Sequence, residues 1–454
     1  MVNQLAGGVA GNADLVAYFF LRAMSLVTQQ GNLGLIATNT IAQGDTREVG
    51  LDRMVADGFT ITSSIQSRSW PAASANLEFA GVWGTLAPVA DSAPRVSDDL
   101  VVQRISTLLE PEGRVTGRPV RLAENAGIAF IGCCVLGKGF ILEPEEAQQW
   151  IAKDPRNAEV LFPYLNGEDL NSRPDASPSR WVIDFNDLPE NLAAKYDEPW
   201  DHVLKLVKPE RRRPGNKNGF ALRAPLPVRW WQYADKRPAM RQAIEDMREV
   251  LTVAVTSRTL MPIRRPTGVV FSHALVVFAD DSFVDQALLS SAIHQSWVMK
   301  YTSGMRGDFR YIPSDCFLTF PRVDGAAALE AMGRLLDAER REIMLRRQLG
   351  LTNLYNLVND PGVSDASDLD MARMRQIHVE LDHAVMAAYG WDDVPLDHGF
   401  HTYRQMTRWT VSPAARLAIL DRLLEENHRR AALQGDAPSP TDDAESEDIP
   451  EGDE

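Results

Sequence analysis

The residues best suited to chemistry in this chain are cations, and they crowd into one stretch. Between Lys205 and Arg265 there are fifteen Lys and Arg against five Asp and Glu, a local net of +10 in a chain whose formal charge is −15. An acidic protein with one strongly basic segment suits a polyanionic partner; a solvated charged surface explains the same count equally well. Lys208, Arg211, Arg212, Arg213 and Lys217 accompany the Pro-, Gly- and Asn-containing run Pro209–Gly219. That composition predicts either a flexible loop that grips phosphates or a solvated loop with no partner. Arg264 and Arg265 stand between Pro262 and Pro266, where a turn just before a strand is expected, which favours contact with a polyanion. Trp230 and Trp231 could stack on a base, but adjacent tryptophans more often pack in a core or hinge.

A second group lies in Tyr301–Arg310. Arg306 and Asp308, two apart, share a face if the segment is extended. Arg can donate in bidentate fashion to guanine, and Asp can accept from the amino group of the paired cytosine; a structural Arg–Asp pair in a turn fits as well. His398 and His401 have the spacing of a ligand pair, but no carboxylate or Cys stands at ligand spacing beside them, and they read as surface residues. The three cysteines, Cys133, Cys134 and Cys316, have no zinc-ligand spacing and cannot form a disulfide framework.

The elements that must position these groups follow from periodicity. A helix is expected from Asp14 to Gln29, with Leu15, Tyr18, Phe19, Arg22 and Leu26 on one largely apolar face. Gly31–Thr40 has the form of a buried parallel strand, and a second helix covers Thr46–Asp57. Phe59–Ile65 and Leu77–Trp83 read as a closing pair of strands, linked by Trp70–Asn76. One parallel strand without parallel neighbours leaves an exposed apolar edge that something must cover. Residues 85–100 read as a linker. Further on, Ile128–Gly132 and Val269–Phe278 are expected strands, and Pro238–Val250 and Asp285–Met299 expected helices. From 322 to 430 the chain is mainly helical, over Ala326–Leu349, Ser367–Tyr389 and Pro413–Arg430, the last capped by Ser412.

The 454 residues suggest two to four domains, and the 44% hydrophobic and 24% charged fractions are those of a globular protein. No apolar run reaches the length of a membrane span and no signal peptide is legible, so a cytoplasmic location is the default. Gly435–Glu454 carries nine acidic and no basic residues. It cannot bury enough apolar surface to order itself and is expected to be a disordered tail.

Several blocks, in order, resemble one family. Phe162–Ser172 (FPYLNGEDLNS), Ser179–Phe185, Arg229–Pro238 (RWWQYADKRP) and Asp308–Pro321 are similar to the target-recognition domain of MmeI-like enzymes, which are bacterial fused restriction–modification proteins and related phage-defence methyltransferases. Asn12–Ala23 and Ile36–Arg47 resemble the methyltransferase segment that follows the family's catalytic turn. Gly350–Leu357 and Tyr389–Asp393 resemble its C-terminal helical domain. The resemblance spans about residues 3 to 430.

It implies α/β plus mixed α+β architecture: the C-terminal half of a class I SAM-dependent methyltransferase sheet at 1–90, a linker at 91–114, an α+β target-recognition domain at 115–321, a helical domain at 322–430 and the acidic tail at 431–454. It implies S-adenosyl-L-methionine-dependent methylation of adenine N6 within a short site on double-stranded DNA. The family's cofactor loop and Asn-Pro-Pro-aromatic turn have no counterpart: no two prolines are adjacent in the chain, and Gly7, Gly8 and Gly11 follow no strand and read as a flexible entry to the helix. The chain is therefore expected to be inactive alone and to use the cofactor only when another polypeptide supplies the missing half. A truncated gene remnant and a non-catalytic DNA-binding module are the alternatives. Asn39 and Arg47 would border the cofactor or base pocket of an intact enzyme; a strand-end polar residue and a surface arginine are the plainer readings. Lys208, Arg211, Arg212, Arg213, Lys217, Arg264, Arg265, Arg306, Asp308 and Arg310 are the expected DNA-contacting residues, with the family's base-pair reading carried to Arg306 and Asp308.

Overall fold

The computed structural model describes residues 13–70, 78–115, 117–217, 219–302, 304–305, 308–323, 327–403 and 406–434. Gly7, Gly8 and Gly11, the link after Trp70, Arg306 and the acidic residues after Gln434 lie outside them. The chain divides into two units, 1–118 with 401–407, and 119–400 with 408–454.

In the first unit Asp14 starts helix α1 (Leu15–Met24), its carboxylate accepting from the Val16 N–H at 3.3 Å. Strand β1 (Asn32–Thr38) follows, then a helical stretch over 44–56 with a π turn at Glu48–Asp52. Gly50 lets that stretch lie against α1, since a Cβ there would stand 3.2 Å from the Ala17 Cβ. Strands β2 (Thr60–Ser69), β3 (Glu78–Thr85), β4 (Arg95–Ser97) and β5 (Leu100–Val102) complete a sheet of order β1-β3-β2-β4-β5.

Two expectations change here. First, β1 is not a buried parallel strand. Among the described residues it is the edge strand, paired antiparallel to β3 alone, and none of its seven residues is fully buried. Second, α1 buries Ala17 and Phe20, while Leu15, Phe19 and Leu26 are 63%, 70% and 69% exposed. The helix is apolar on both sides, so periodicity could not choose the inward face. The stretch expected as a linker, 91–114, also carries structure: β4 pairs parallel with β2, and Ser64 and Ser97 both donate to the Leu109 carbonyl.

The second unit is mixed α/β with several small sheets. Its strands are β6 (Ala129–Ile131), β7 (Ile141–Leu142), β8 (Leu161–Leu165), β9 (Arg180–Ile183), β10 (Pro214–Lys217), β11 (Glu249–Ala254), β12 (Thr256–Ser257), β13 (Ile263–Pro266), β14 (Val270–Phe271), β15 (Leu275–Phe278), β16 (Gly304–Met305) and β17 (Asp308–Arg310). All but β10 form sheets of order β13-β11-β15-β6, β14-β8-β9-β7 and β12-β17-β16. The expected strand Val269–Phe278 is broken: β14 and β15 join different sheets, with the chain turning where Leu275 N donates to Ser272 O. The expected helix Pro238–Val250 stops at Ala243, and Glu249 onward is strand.

The longer helices are α2 (Pro144–Lys153), α3 (Asp197–Arg211), α4 (Phe283–Ser290), α5 (Ala292–Tyr301), α6 (Ala327–Arg347), α7 (Leu351–Val358), α8 (Leu369–Tyr389) and α9 (Pro413–Gln434). The expected Asp285–Met299 helix is two, because Ser291 ends α4 and caps α5 through the His294 N–H. Ser412 caps α9, accepting from Ala415 N at 3.2 Å. The helical region does not stand apart from the rest of this unit. Buried Asn427 on α9 accepts from Val120 N and donates to the Val120 and Thr319 carbonyls, while buried Asn125 donates to Phe317 and Phe320 carbonyls. Gly333 brings α6 onto α4, where a Cβ would stand 2.0 Å from the Phe283 carbonyl oxygen. No helix among the described residues is long and apolar enough to cross a membrane.

Candidate nucleic-acid interface

Helix α3 divides the cations expected on the loop 209–219. Val203, Val207 and Arg211 recur every four residues and all are buried, so Arg211 points inward. It is fully buried, donating from Nε to the Leu136 carbonyl at 3.1 Å and from Nη2 to the Val135 carbonyl at 2.9 Å. Leu136 is held there at φ +45° and is followed by Gly137 at φ +137°, a left-handed turn whose carbonyls Arg211 satisfies. Burial pulls the Arg211 guanidinium down to about 10. Arg211 is thus a structural clamp and not a phosphate grip. The expected loop is also shorter than Pro209–Gly219, since α3 continues through Pro209.

The other cations of this segment stay at the surface. Lys208 is half-buried, its ammonium 4.7 Å above the Trp230 ring. Arg212 is exposed and donates from Nε to the Pro227 carbonyl at 3.0 Å. Arg213 and Lys217 are exposed, and the chain doubles back beside them as Ala221 N donates to the Arg213 carbonyl. Arg229 is exposed one residue before Trp230. The end of α3 and the segment 227–230 therefore share one cationic surface, with exposed Glu210 within it.

Trp230 and Trp231 belong to the core. Trp230 is fully buried and lies 4.9 Å from the Trp200 ring, and the Trp231 indole donates to the Leu188 carbonyl; neither is available to a base. Arg264 and Arg265 depart from expectation too. They lie within β13, paired to β11, and not in a turn. Arg264 bonds Glu249 and the Asp281 carbonyl with its guanidinium 4.1 Å above Phe283. Arg265 donates to the Asp175 carbonyl at 2.7 Å. Both brace the fold.

Tyr301 still belongs to α5, and two short strands of the Tyr301–Arg310 stretch, β16 and β17, pair antiparallel with each other. Gly304 pairs with Phe309 and Met305 with Asp308, and β17 continues onto β12, where Thr256 stands opposite Arg310. Arg310 and Thr256 are exposed, whereas Phe309 and Ser257, which alternate with them, are buried. Tyr311 fixes the base of this ribbon: its N–H donates to Val255 O at 2.7 Å, and its hydroxyl lies 2.9 Å from His294 Nε2. Burial pulls His294 down to about 3, so it stays neutral. Asp308 is a backbone member of β17. Thr256 is the exposed neighbour that sequence reading missed; only the cross-strand register places it beside Arg310.

The remaining candidates are occupied. His398 is no surface residue: its Nε2 lies 2.8 Å from Asp382 Oδ2, and the Asp382 Oδ1 accepts from Ala292 N. The two line a small polar cavity with Tyr355, His378, Arg408 and Trp409. Asn39 donates to Ser67 Oγ and Glu78 Oε2, and Arg47 pairs with Asp52 at 3.3 Å. The three cysteines are buried free thiols, Cys133 and Cys134 pushed up to about 11 by burial.

Residues 123–324 match the family model described as MmeI, target recognition domain. They form an MmeI-like target-recognition domain. The domain so defined contains the cationic surface at the end of α3 and the β12-β17-β16 ribbon. The chain is similar in fold to the type IIL restriction–modification enzyme MmeI, solved in complex with DNA: 16% identity, TM-score 0.64, covering 95% of this chain and 54% of that one. A weaker likeness, TM-score 0.33 at 11% identity over 86% of this chain and 51% of the other, is to the type IIG restriction endonuclease BpuSI. The chain thus spans about half the length of the solved structures it matches. No curated protein matches it.

Proposed function

We propose that this chain reads a short site on double-stranded DNA as the recognition part of a restriction–modification enzyme, its target-recognition domain doing the reading. The observation that carries the reading is the family match over residues 123–324. Side-chain exposure supports a division of labour. Arg212, Arg213 and Lys217 contact phosphates, which position but do not specify. The exposed face of the ribbon bearing Arg310 approaches base edges, with Arg306 and Asp308 as the base-reading pair carried over from the resemblance.

The first unit is proposed to be the C-terminal part of a SAM-dependent adenine-N6 methyltransferase sheet. Its support is the side of β1 left open among the described residues: a strand flanked by helices and hydrogen-bonded there on one side only offers a row of N–H and C=O groups to a parallel neighbour. Beside it, Leu15 and Phe19 are solvent-exposed. A separate stretch of polypeptide carrying the cofactor loop and catalytic turn would pair there.

Selection of bound duplexes from a random library near 150 mM salt tests the first part. Enrichment of one short motif is expected; retention of all sequences alike would refute it. For the second part, purified 1–454 with SAM and DNA is expected to transfer no methyl group. Measurable transfer by that chain alone would overturn the proposed split.

A further inference from the structure

The exposed cations of the target-recognition domain face a competitor in the same chain. Residues 435–454 hold nine acidic and no basic residues, five of them within Asp442–Asp448. They follow directly on α9, whose last residue is tied down: the Gln434 side chain accepts from Ala123 N and donates to the Arg121 carbonyl. Twenty residues reach at most about 65 Å from that point. The unit of about 330 residues that carries both α9 and the target-recognition domain has a radius of gyration near 20 Å for its size. The half-circumference of a sphere of that size is about 80 Å, so most of the surface, though not all of it, is within range.

On that surface Lys208, Arg212, Arg213, Lys217 and Arg229 gather at the end of α3, opposed locally by Glu210. Charge complementarity therefore names both the site and its occupant. We propose that residues 435–454 act as an internal polyanion that occupies the cationic surface at the end of α3 until DNA displaces them. The inference rests on the DNA-recognition reading above.

Magnitudes decide the direction of exchange. Tethering holds the segment at an effective concentration of order millimolar, enough to compete with weak, non-specific DNA. Its densest part carries one charge per roughly 5 Å when extended, against one per 3.4 Å on each DNA strand. A specific site, held by base contacts as well, outcompetes it. The segment would thus suppress non-specific binding more than specific binding.

Two measurements test this, the first without DNA. A dye on a cysteine added after Glu454 labels that end selectively, because Cys133, Cys134 and Cys316 are buried. Its anisotropy should fall when salt is raised from about 50 to 300 mM and should fall equally in Arg213→Glu/Lys217→Glu at low salt. A low, salt-independent anisotropy in the unaltered protein would overturn the contact.

The second is affinity for a random-sequence 20-base-pair duplex. Removal of 435–454, or replacement of its nine acids by Asn and Gln, should raise affinity about 5-fold or more at 50 mM salt, and little at 300 mM. In the Arg213→Glu/Lys217→Glu background that gain should vanish. An equal gain in both backgrounds would mean that the acids repel DNA from a distance, and the inference fails. If no version binds DNA while the anisotropy behaves as expected, the recognition reading fails and the internal contact stands.

Discussion

Two sheets in this protein, one in each unit, are built from similar apolar strands and end very differently. In the second unit β15 lies between β11 and β6, and all four of its residues are buried. In the first unit β1 has, among the described residues, β3 on one side only, and Ile36 is 55% exposed. The first strand spends its hydrophobicity inside its own unit. The second keeps part of it, together with the outer side of α1, unspent. That contrast separates an edge already covered from one left open to a further strand.

The contrast breaks most visibly at the closed sheet. Val276 is fully buried with neighbours on both sides, Val253 on β11 and Ile131 on β6. Val276→Asp is expected to cost more than about 4 kcal/mol, because an unpaired carboxylate there has no water. A chemical-denaturation curve measures it, and a loss below about 1 kcal/mol would mean that this sheet is not the core of its unit.

Arg211→Ala should come next, at about 2–4 kcal/mol. It strips the buried Val135 carbonyl and the half-buried Leu136 carbonyl of their donor and frees a left-handed turn at Leu136. Arg213→Ala, two residues on and exposed, should change stability by less than about 0.5 kcal/mol. Equal losses at the two positions would put Arg211 back among the surface cations.

That pair shows what was legible in the sequence. The caps of α1 and α9 follow from local chemistry, and local chemistry was enough to read them. Arg211 was misassigned because Pro209 suggested a loop, although the spacing Val203, Val207, Arg211 already marked the inward side of a helix. Arg264 and Arg265 look like free charges in sequence, and only tertiary neighbours such as Phe283 and Asp175 engage them. His398 is similar, since its partner Asp382 comes from α8. The outward side of α1 could not be read at all: a helix apolar on both sides leaves that choice to packing.

Per pH unit, a smaller effect should appear in the second unit. Asp285, in the first turn of α4, is pushed up to about 8, first by burial and then by the neighbouring Asp280, against the pull of Arg322 at 2.8 Å. The folded state therefore holds a proton that the unfolded chain releases near pH 4. Stability is full below that value and falls as pH rises towards about 8, at up to about 1.4 kcal/mol per unit. Melting temperatures across pH 5.5–8 should fall less steeply for Asp285→Asn than for the unaltered protein. Parallel slopes would show that Asp285 is ionised throughout.

The smallest effect on stability is expected at the open edge, and it sharpens the contrast most. Ile36→Glu places a charge where the strand already meets water, so the melting temperature of the chain should move by no more than about 0.5 kcal/mol allows. A charge on an edge strand is, however, what discourages a further strand from pairing there. Restoration of methyl transfer by an added polypeptide carrying the cofactor loop and catalytic turn should therefore be lost in Ile36→Glu while folding is retained. If Ile36→Glu instead destabilised the chain by several kcal/mol, β1 would already be covered within this chain, and the edge would have no partner to recruit.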